Sequence, residues 1–309
     1  MKTKISFIVP CYYNEENIPV TFQKLIENES NFDGSVEFEY VFVDDGSKDG
    51  TWNSLQKIKS LAGEKVRILR LGKNVGSYVA ITAGMKAATG DATVVIAADL
   101  QDPVELTVEM HKLWKTGVKL VIGQRKGNKD SFVPRFTSSL FNKMMRKYAI
   151  NNLPKGGFDF VFFDKSIREE VVHINEKNTN ILYLMFSLGY PTALLPYVRQ
   201  EREIGKSRWT IKKKMKLFID SFIAFSFVPI RFLSLIGILL GLGSLIYAIY
   251  IVISKLTGSI ELEGWSALMT TILFIGSFQM IGLGVLGEYL WRILDEVRNR
   301  PQYNVIDEK

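Results

Sequence analysis

Cysteine is nearly absent from this 309-residue chain: Cys11 stands alone. One thiol excludes a disulfide framework and a thiolate-based metal site. Histidine is almost as scarce, with His111 and His173 far apart. Both fall in expected helical regions and read as structural or exposed. No Gly-x-Gly-x-x-Gly opens the first helix, so dinucleotide redox chemistry is excluded. There is no internal repeat and no low-complexity segment. Residues 1–4 lead directly into an apolar strand, without the apolar h-region of a signal peptide.

Charge is not scarce, but its excess is local. The net charge is +7. Between Arg199 and Lys216 eight bases stand against Glu201 and Glu203, which is nearly the whole excess. No aromatic stacking platform accompanies them, which argues against nucleic acid. A basic stretch just before an apolar span reads instead as a patch facing anionic lipid.

The first 125 residues alternate apolar β-branched runs with helical periodicity. Strands are expected at 4–10, 38–43, 66–71, 92–98 and 118–123, and helices at 16–29, 49–61, 77–89 and 103–116. Pro103 suits a first helical turn, and Asp49 reads as the cap of its helix. Such alternation predicts a mainly parallel α/β sheet with helices on both faces. Beyond residue 125 the alternation breaks down, with a helix expected at 136–149 and an apolar run at 160–163. Residues 211–227 then place Ile211, Met215, Phe218, Ile219, Phe222 and Phe225 at helical spacing with lysines on other faces, the pattern of an interfacial helix. Two stretches without charge follow, at about 232–254 and 265–287, each long enough to cross a hydrocarbon core of about 30 Å. Gly237, Gly241, Gly243, Gly276, Gly282 and Gly284 suit close helix packing in lipid. The connecting loop has Lys255 against Glu261 and Glu263, whereas Arg292, Arg298 and Arg300 follow the second span. The positive-inside bias therefore puts both flanks on the cytoplasmic side.

Two acidic clusters fall at expected strand ends, where ligands bind in open α/β sheets. The first is Val43-Asp44-Asp45-Gly46-Ser47 and the second is Asp99-Leu100-Gln101-Asp102. Hard cations take oxygen ligands, so Asp99 and Gln101 suit Mg²⁺ or Mn²⁺, with Asp102 a further ligand. Spaced two apart, Asp99 and Gln101 point the same way from an extended segment. Asp44 and Asp45 suit the N–H and O–H groups of a base or ribose. Arg125, Arg135 and Ser139, with Arg202 and Arg208 further on, suit phosphate, because an arginine fork stays charged when desolvated.

Together these residues resemble the family-2 glycosyltransferases of GT-A fold, and more narrowly the polyprenyl-phosphate glycosyltransferases, which include dolichyl-phosphate mannose synthase and bacterial undecaprenyl-phosphate glucosyl and aminoarabinosyl transferases. The resemblance rests on Val9-Pro10-Cys11-Tyr12-Tyr13-Asn14-Glu15-Glu16, Asp44-Asp45-Gly46-Ser47, Asn74-Val75-Gly76, and Ala98-Asp99-Leu100-Gln101-Asp102-Pro103. It continues in Gly123-Gln124-Arg125, Asp159, Phe163-Asp164-Lys165, Arg202 with Gly205-Lys206-Ser207-Arg208, Gly287-Glu288-Tyr289-Leu290 and Arg300-Pro301-Gln302-Tyr303. Nearly the whole chain is covered.

The resemblance implies a Rossmann-like GT-A domain at 1–209, an interfacial helix at 210–230, a two-helix transmembrane hairpin at 231–291 and a cytoplasmic tail at 292–309. Pro10, Tyr12, Glu15, Asp44, Asp45 and Ala98 would hold the nucleotide. Asp99 and Gln101 would bind the divalent ion and, with Arg125, carry catalysis. Arg125, Arg135, Ser139, Arg202 and Arg208 would contact phosphates of the donor or the lipid. Three departures from the pattern stand out: Ala97 where the first Asp of Asp-Ala-Asp-Leu-Gln is usual, Tyr13 as an extra residue in the first motif, and Arg208 where Lys is common. The expected activity is transfer of a sugar, UDP-linked by expectation, to undecaprenyl or a similar polyprenyl phosphate with inversion, by a membrane-bound homo-oligomer. Two rival readings are a polysaccharide synthase, which usually carries Gln-x-x-Arg-Trp where Gly205 stands here, and a weakened membrane scaffold or transport accessory.

Overall fold

The computed structural model describes residues 2–126, 143–147, 149–150, 153–154, 159–174, 176–200, 219–257 and 264–309. Two compact units emerge: Met1–Ser221 with Pro301–Lys309, and Phe222–Arg300.

The first unit is a twisted eight-stranded sheet flanked by helices. Its strands are β1 (Thr3–Cys11), β2 (Val36–Asp44), β3 (Val66–Leu71), β4 (Ala92–Val95), β5 (Leu120–Arg125), β6 (Val161–Asp164), β7 (Thr192–Tyr197) and β8 (Val305–Glu308). Its helices are α1 (Asn17–Glu29), α2 (Thr51–Ala62), α3 (Ser77–Ala87), α4 (Leu106–Lys115), α5 (Lys165–Ile174) and α6 (Ile181–Ser187). The spatial order is β7-β5-β6-β4-β1-β2-β3-β8. β1 pairs in parallel with β2 and β4, and β2 with β3. The order therefore reverses beside β1, the switch point at which open α/β sheets bind ligands.

Buried strands need continuous apolar runs, and β1 and β2 supply them: Phe7, Ile8, Tyr40, Val41 and Phe42 are fully enclosed. Helix α3 presents small residues to these strands. A Cβ on Gly84 would lie 2.5 Å from Ile8 Cγ2, so the helix sits too close to β1 to carry one. His111 is buried against Phe32 and stacks on Trp114, while His173 is exposed; both have structural or surface places, as expected.

Three features differ from the sequence expectation. β4 ends at Val95 rather than at 98, because the acidic segment turns out of the sheet. The run expected at 160–163 becomes β6, antiparallel between β4 and β5, so β5 does not join the parallel set directly. The tail at 292–309 is not one element: 292–297 continue a helix, and 305–308 form β8, antiparallel to β3.

The second unit holds α7 (Val228–Leu256) and α8 (Trp265–Val297), both long and apolar enough to cross a membrane. Leu235, Ile238, Leu242, Ile246, Phe274 and Ile281 are among the many large apolar side chains left exposed. A soluble core helix would bury such a surface, and these two helices leave it open. Of the glycines expected to pack helix on helix, only Gly282 meets the facing helix, at Leu233; Gly237, Gly241, Gly243, Gly276 and Gly284 face open space. Tyr289 donates its hydroxyl to the Ser226 carbonyl at 3.3 Å, and Glu288 pairs with Arg292 at 3.0 Å.

Candidate active site

The carboxyl ends of β1, β2 and β4 lie side by side. Cys11 is opposite Asp44 in the ladder, and the Ile96 amide bonds the Ile8 carbonyl at 3.1 Å as the chain leaves β4. The two acidic clusters, over fifty residues apart in sequence, therefore flank one strand end at Pro10–Tyr13.

Asp44 is fully buried. Its Oδ1 accepts from the Ser47 amide at 3.0 Å, and its Oδ2 has no hydrogen-bond donor among the described residues, with Arg70 Nε 3.7 Å away. A buried carboxylate oxygen with free lone pairs has the capacity to accept a further donor. Asp45 is engaged by the protein itself. It accepts from Asn74 Nδ2 at 2.8 Å, the Val75 amide at 2.7 Å and the Gly76 amide at 3.0 Å, which fixes the loop before α3. Gly46 makes the turn between cluster and loop with φ +69°, and its Cα faces the Lys73–Asn74 peptide with no room for a side chain. Glu15 reaches the start of α2, where its Oε2 accepts from the Gly50 amide at 2.9 Å. Tyr12 stacks edge-on with Tyr13 at 4.6 Å, and Tyr13 holds φ 57°. The Tyr13 amide bonds Ser47 Oγ at 2.9 Å, tying the first motif to the second. Pro10 is half-buried, and the buried Ala98 offers its carbonyl to Thr21 Oγ1 at 2.9 Å.

The segment carrying Asp99 and Gln101 is a turn, not the extended stretch expected. Leu100 takes φ 53°, a left-handed conformation that costs a non-glycine residue roughly 1–2 kcal/mol. Such strain persists only where the surroundings enforce it, most often at functional sites. The Gln101 amide bonds Asp99 Oδ1 at 3.3 Å, and the Gln101 backbone carbonyl accepts from the Gln200 amide at 2.9 Å. Asp99 remains half-exposed beyond the carboxyl end of β4, an interior strand of the sheet.

Asp102 is 1% exposed and faces the protein interior. Tyr197 donates its hydroxyl to Asp102 Oδ1, Arg199 Nε lies 3.9 Å away, and Oδ2 has no hydrogen-bond donor among the described residues. Burial pushes the Asp102 carboxyl above its ordinary range, although Tyr197 and Arg125 pull the other way. Arg125, at the end of β5, is clamped on two sides: it pairs with Asp159 just before β6, and its Nε donates to the Tyr197 hydroxyl at 3.4 Å. Burial disfavours the guanidinium charge, but Asp159 and Tyr197 outweigh it and hold the group firmly protonated. Tyr197 carries no motif of its own and escapes sequence reasoning. Asp159 lies in a motif of the resemblance, but its pairing with Arg125 is visible only in the fold.

Among the described residues no three His, Cys, Asp or Glu side chains form a metal cage. The oxygens of Asp99 and Gln101 nevertheless suit a hard cation that takes one or two protein ligands and completes its shell with phosphate and water. Arg135, Ser139, Arg202 and Arg208 lie outside the described residues.

The profile of Glycosyl transferase family 2 matches residues 6–174. An uncharacterized glycosyltransferase of Bacillus subtilis is 36% identical over 97% of this chain and 92% of its own length. A bactoprenol glucosyl transferase of prophage origin in Shigella flexneri is 33% identical over 97% of this chain and 96% of its own. A third relative, an uncharacterized glycosyltransferase of Synechocystis, is 31% identical over 99% of this chain and 96% of its own.

Proposed function

The chain belongs to Glycosyl transferase family 2, and from that premise we propose that it moves a sugar from a UDP-linked donor to undecaprenyl or a similar polyprenyl phosphate. The observation that carries the acceptor is the near full-length likeness to proteins named bactoprenol glucosyl transferase, both apolar helices included. A polyprenyl acceptor lives in the bilayer, and only a membrane-held enzyme meets it there. The same likeness disfavours a scaffold or a polysaccharide synthase.

In this reading the phosphate oxygen of the lipid forms a bond to the anomeric carbon as the bond from that carbon to the nucleoside diphosphate breaks. The configuration inverts, and UDP leaves. The acceptor is already an anion near pH 7, so no side chain must take a proton from it. Asp44 accepts from the base or ribose through Oδ2, which takes no hydrogen bond from the described residues. Pro10, Tyr12 and Ala98 form the rest of the nucleotide wall. Asp45 and Glu15 act one step back, by fixing the loops at Val75–Gly76 and Gly50. Asp99 and Gln101 would hold Mg²⁺ or Mn²⁺, which supplies charge neutralisation for the departing diphosphate. Arg125 presents a fixed positive charge to phosphate, and Arg135, Ser139, Arg202 and Arg208 are assigned to the same task from sequence. We assign catalysis to residues 1–209, bilayer-surface contact to 210–230 and the membrane hairpin to 231–291. The product forms on the cytoplasmic leaflet, in keeping with the basic flanks. The spans are also the surface through which copies of the chain would associate.

The test is direct. Purified full-length protein is incubated with radiolabelled nucleotide-sugars, undecaprenyl phosphate and Mg²⁺ or Mn²⁺, and label is counted in the organic phase. Labelled lipid from one donor is the expected result. Failure with every donor and either metal favours the scaffold.

A further inference from the structure

The last strand of the sheet comes from the far end of the chain, beyond both apolar helices. β8 lies antiparallel on β3, with Glu308 opposite Leu69 and Asp307 opposite Arg70. Ile68 and Lys309 exchange backbone bonds at 2.9 and 3.1 Å, and the Gly72 amide bonds the Asn304 carbonyl at 3.0 Å. Arg67 pairs with Glu308 at 2.7 Å, and Lys86 lies over the Tyr303 ring. An edge strand needs a cover, and β8 provides it.

What β8 covers is the part of β3 that leads into the nucleotide-side loop. Arg70 reaches Asp44 and also lies over the Trp52 ring. Gly72 is fitted against Ile306, whose Cγ2 would be 3.3 Å from a Cβ there. The next two residues, Lys73 and Asn74, pack directly on Gly46. Asn74, Val75 and Gly76 then supply three donors to Asp45. A continuous path of backbone bonds and hard contacts runs from Asn304 and Ile306 through Gly72 to the Asp44–Gly46 turn.

We propose that the C-terminal strand β8 is a positioning element of the nucleotide pocket: docked on β3, it holds the Gly72–Gly76 loop and the Asp44–Gly46 turn in the conformation that binds the nucleoside diphosphate. The inference rests on the reading of that turn as the nucleotide site. The donor pocket is then completed by residues that follow the membrane hairpin in sequence, so a chain ending before Pro301 would carry every motif residue of the pocket and bind donor poorly.

The test uses the full chain in detergent, with UDP and GDP as probes. Two variants undock the strand: deletion of 304–309, and Asp307→Pro, whose N–H, two residues from that of Lys309, faces β3. The expected result is a tenfold or larger rise in the UDP dissociation constant and in donor KM, with acceptor KM unchanged and kcat within threefold. A strand that served stability alone would reduce the folded fraction and leave the dissociation constant of the remainder alone. Coupling is reciprocal, so the intact protein gives a second readout that needs no variant. Saturating UDP should slow hydrogen exchange at the Gly72, Val75 and Lys309 amides about tenfold. Folded variants that bind UDP as tightly as the intact chain, or exchange at Lys309 that ignores UDP, would overturn the proposal alone. An intact chain that binds neither UDP nor GDP would overturn the nucleotide reading and this inference with it.

Discussion

Tyr197 donates its hydroxyl to the buried Asp102 carboxylate, and Arg125 donates to the oxygen of that same hydroxyl. One phenol thus joins the second acidic cluster to Arg125 across β5 and β7. Its removal leaves a buried carboxylate without its donor, at about 1–3 kcal/mol, and frees one side of the guanidinium. Tyr197→Phe is expected to lower kcat/KM roughly tenfold, about 1.4 kcal/mol of transition-state binding, and to lower the melting temperature. Asp102→Asn keeps an acceptor oxygen for Tyr197 and should retain more activity than Tyr197→Phe. Turnover and thermal melting of the two variants decide it; the reverse order would show that the phenol does not orient Arg125.

Asp99 is half-exposed, so its removal leaves the core intact. Asp99→Ala is expected to cost at least about a hundredfold in kcat, the scale for losing a group that stabilises developing charge, with an unchanged melting temperature. EDTA should abolish turnover of the unmodified chain, and Mg²⁺ or Mn²⁺ should restore it. A well-folded, active Asp99→Ala variant would refute the metal assignment.

Asp164 sits at the end of β6 and takes four donors: Trp114 Nε1 at 2.8 Å, Ser166 N at 3.0 Å, Ser166 Oγ at 2.7 Å and Lys119 Nζ at 3.0 Å. Burial alone would raise its pKa, but these donors outweigh it and lower the value from 3.8 to about 2. A carboxyl depressed by folding contributes stability that is full above the unfolded value and lost as pH falls through the folded one. The window is therefore about pH 4 down to about pH 2, and the contribution about 2 kcal/mol. Asp164→Asn should be less stable than the unmodified chain at pH 6, with a gap that closes across that window in melts of the full protein. A constant gap would mean that the carboxylate charge contributes nothing.

The parts of the fold that announce themselves in sequence are those whose pattern is local. β1, β2 and β3 are short runs dominated by apolar residues, with Glu39 in β2 and Arg67 and Arg70 in β3 among them, and the glycine and acidic punctuation at Asp44–Gly46 falls where a parallel strand must turn. The pairing of β6 with β4 and β5 is not local, since a run as short as Val161–Phe163 looks the same beside any neighbour. β7 hides because it contains Pro196 and alternates exposed with half-buried positions, and β8 hides because it is four residues in a polar segment. Within the site, the place of Asp44 follows from its strand end. The enclosure of Asp45 by Asn74–Gly76 and of Asp102 by Tyr197 requires the fold, since their partners are 29 and 95 residues away. Nothing in a leucine foretells φ 53° at Leu100.

Two glycines beside the first acidic cluster make opposite predictions. A Cβ on Gly46 would lie 2.5 Å from the Lys73 carbonyl carbon and 2.7 Å from the Asn74 amide nitrogen. Those atoms are backbone, and no rotamer change moves them. The residue also holds φ +69°, which costs alanine roughly 1–2 kcal/mol; overpacking adds about 1–3 kcal/mol. Relief of the clash must push Asn74 away and break its bonds to Asp45. A Cβ on Gly50 would meet atoms as close, at 2.1–2.7 Å, but they belong to the Glu15 carboxylate, which can swing into solvent. Gly46→Ala should therefore destabilise the protein by about 2–5 kcal/mol and weaken UDP binding in whatever fraction stays folded. Gly50→Ala should cost less than about 1 kcal/mol and, by loosening the Glu15 contact alone, weaken UDP binding less than Gly46→Ala does. Chemical unfolding and UDP titration of the pair measure both effects. Equal losses at the two positions would mean that the Lys73–Asn74 peptide yields as readily as a side chain, and the rigid contact between the loop and the acidic turn would have to be given up.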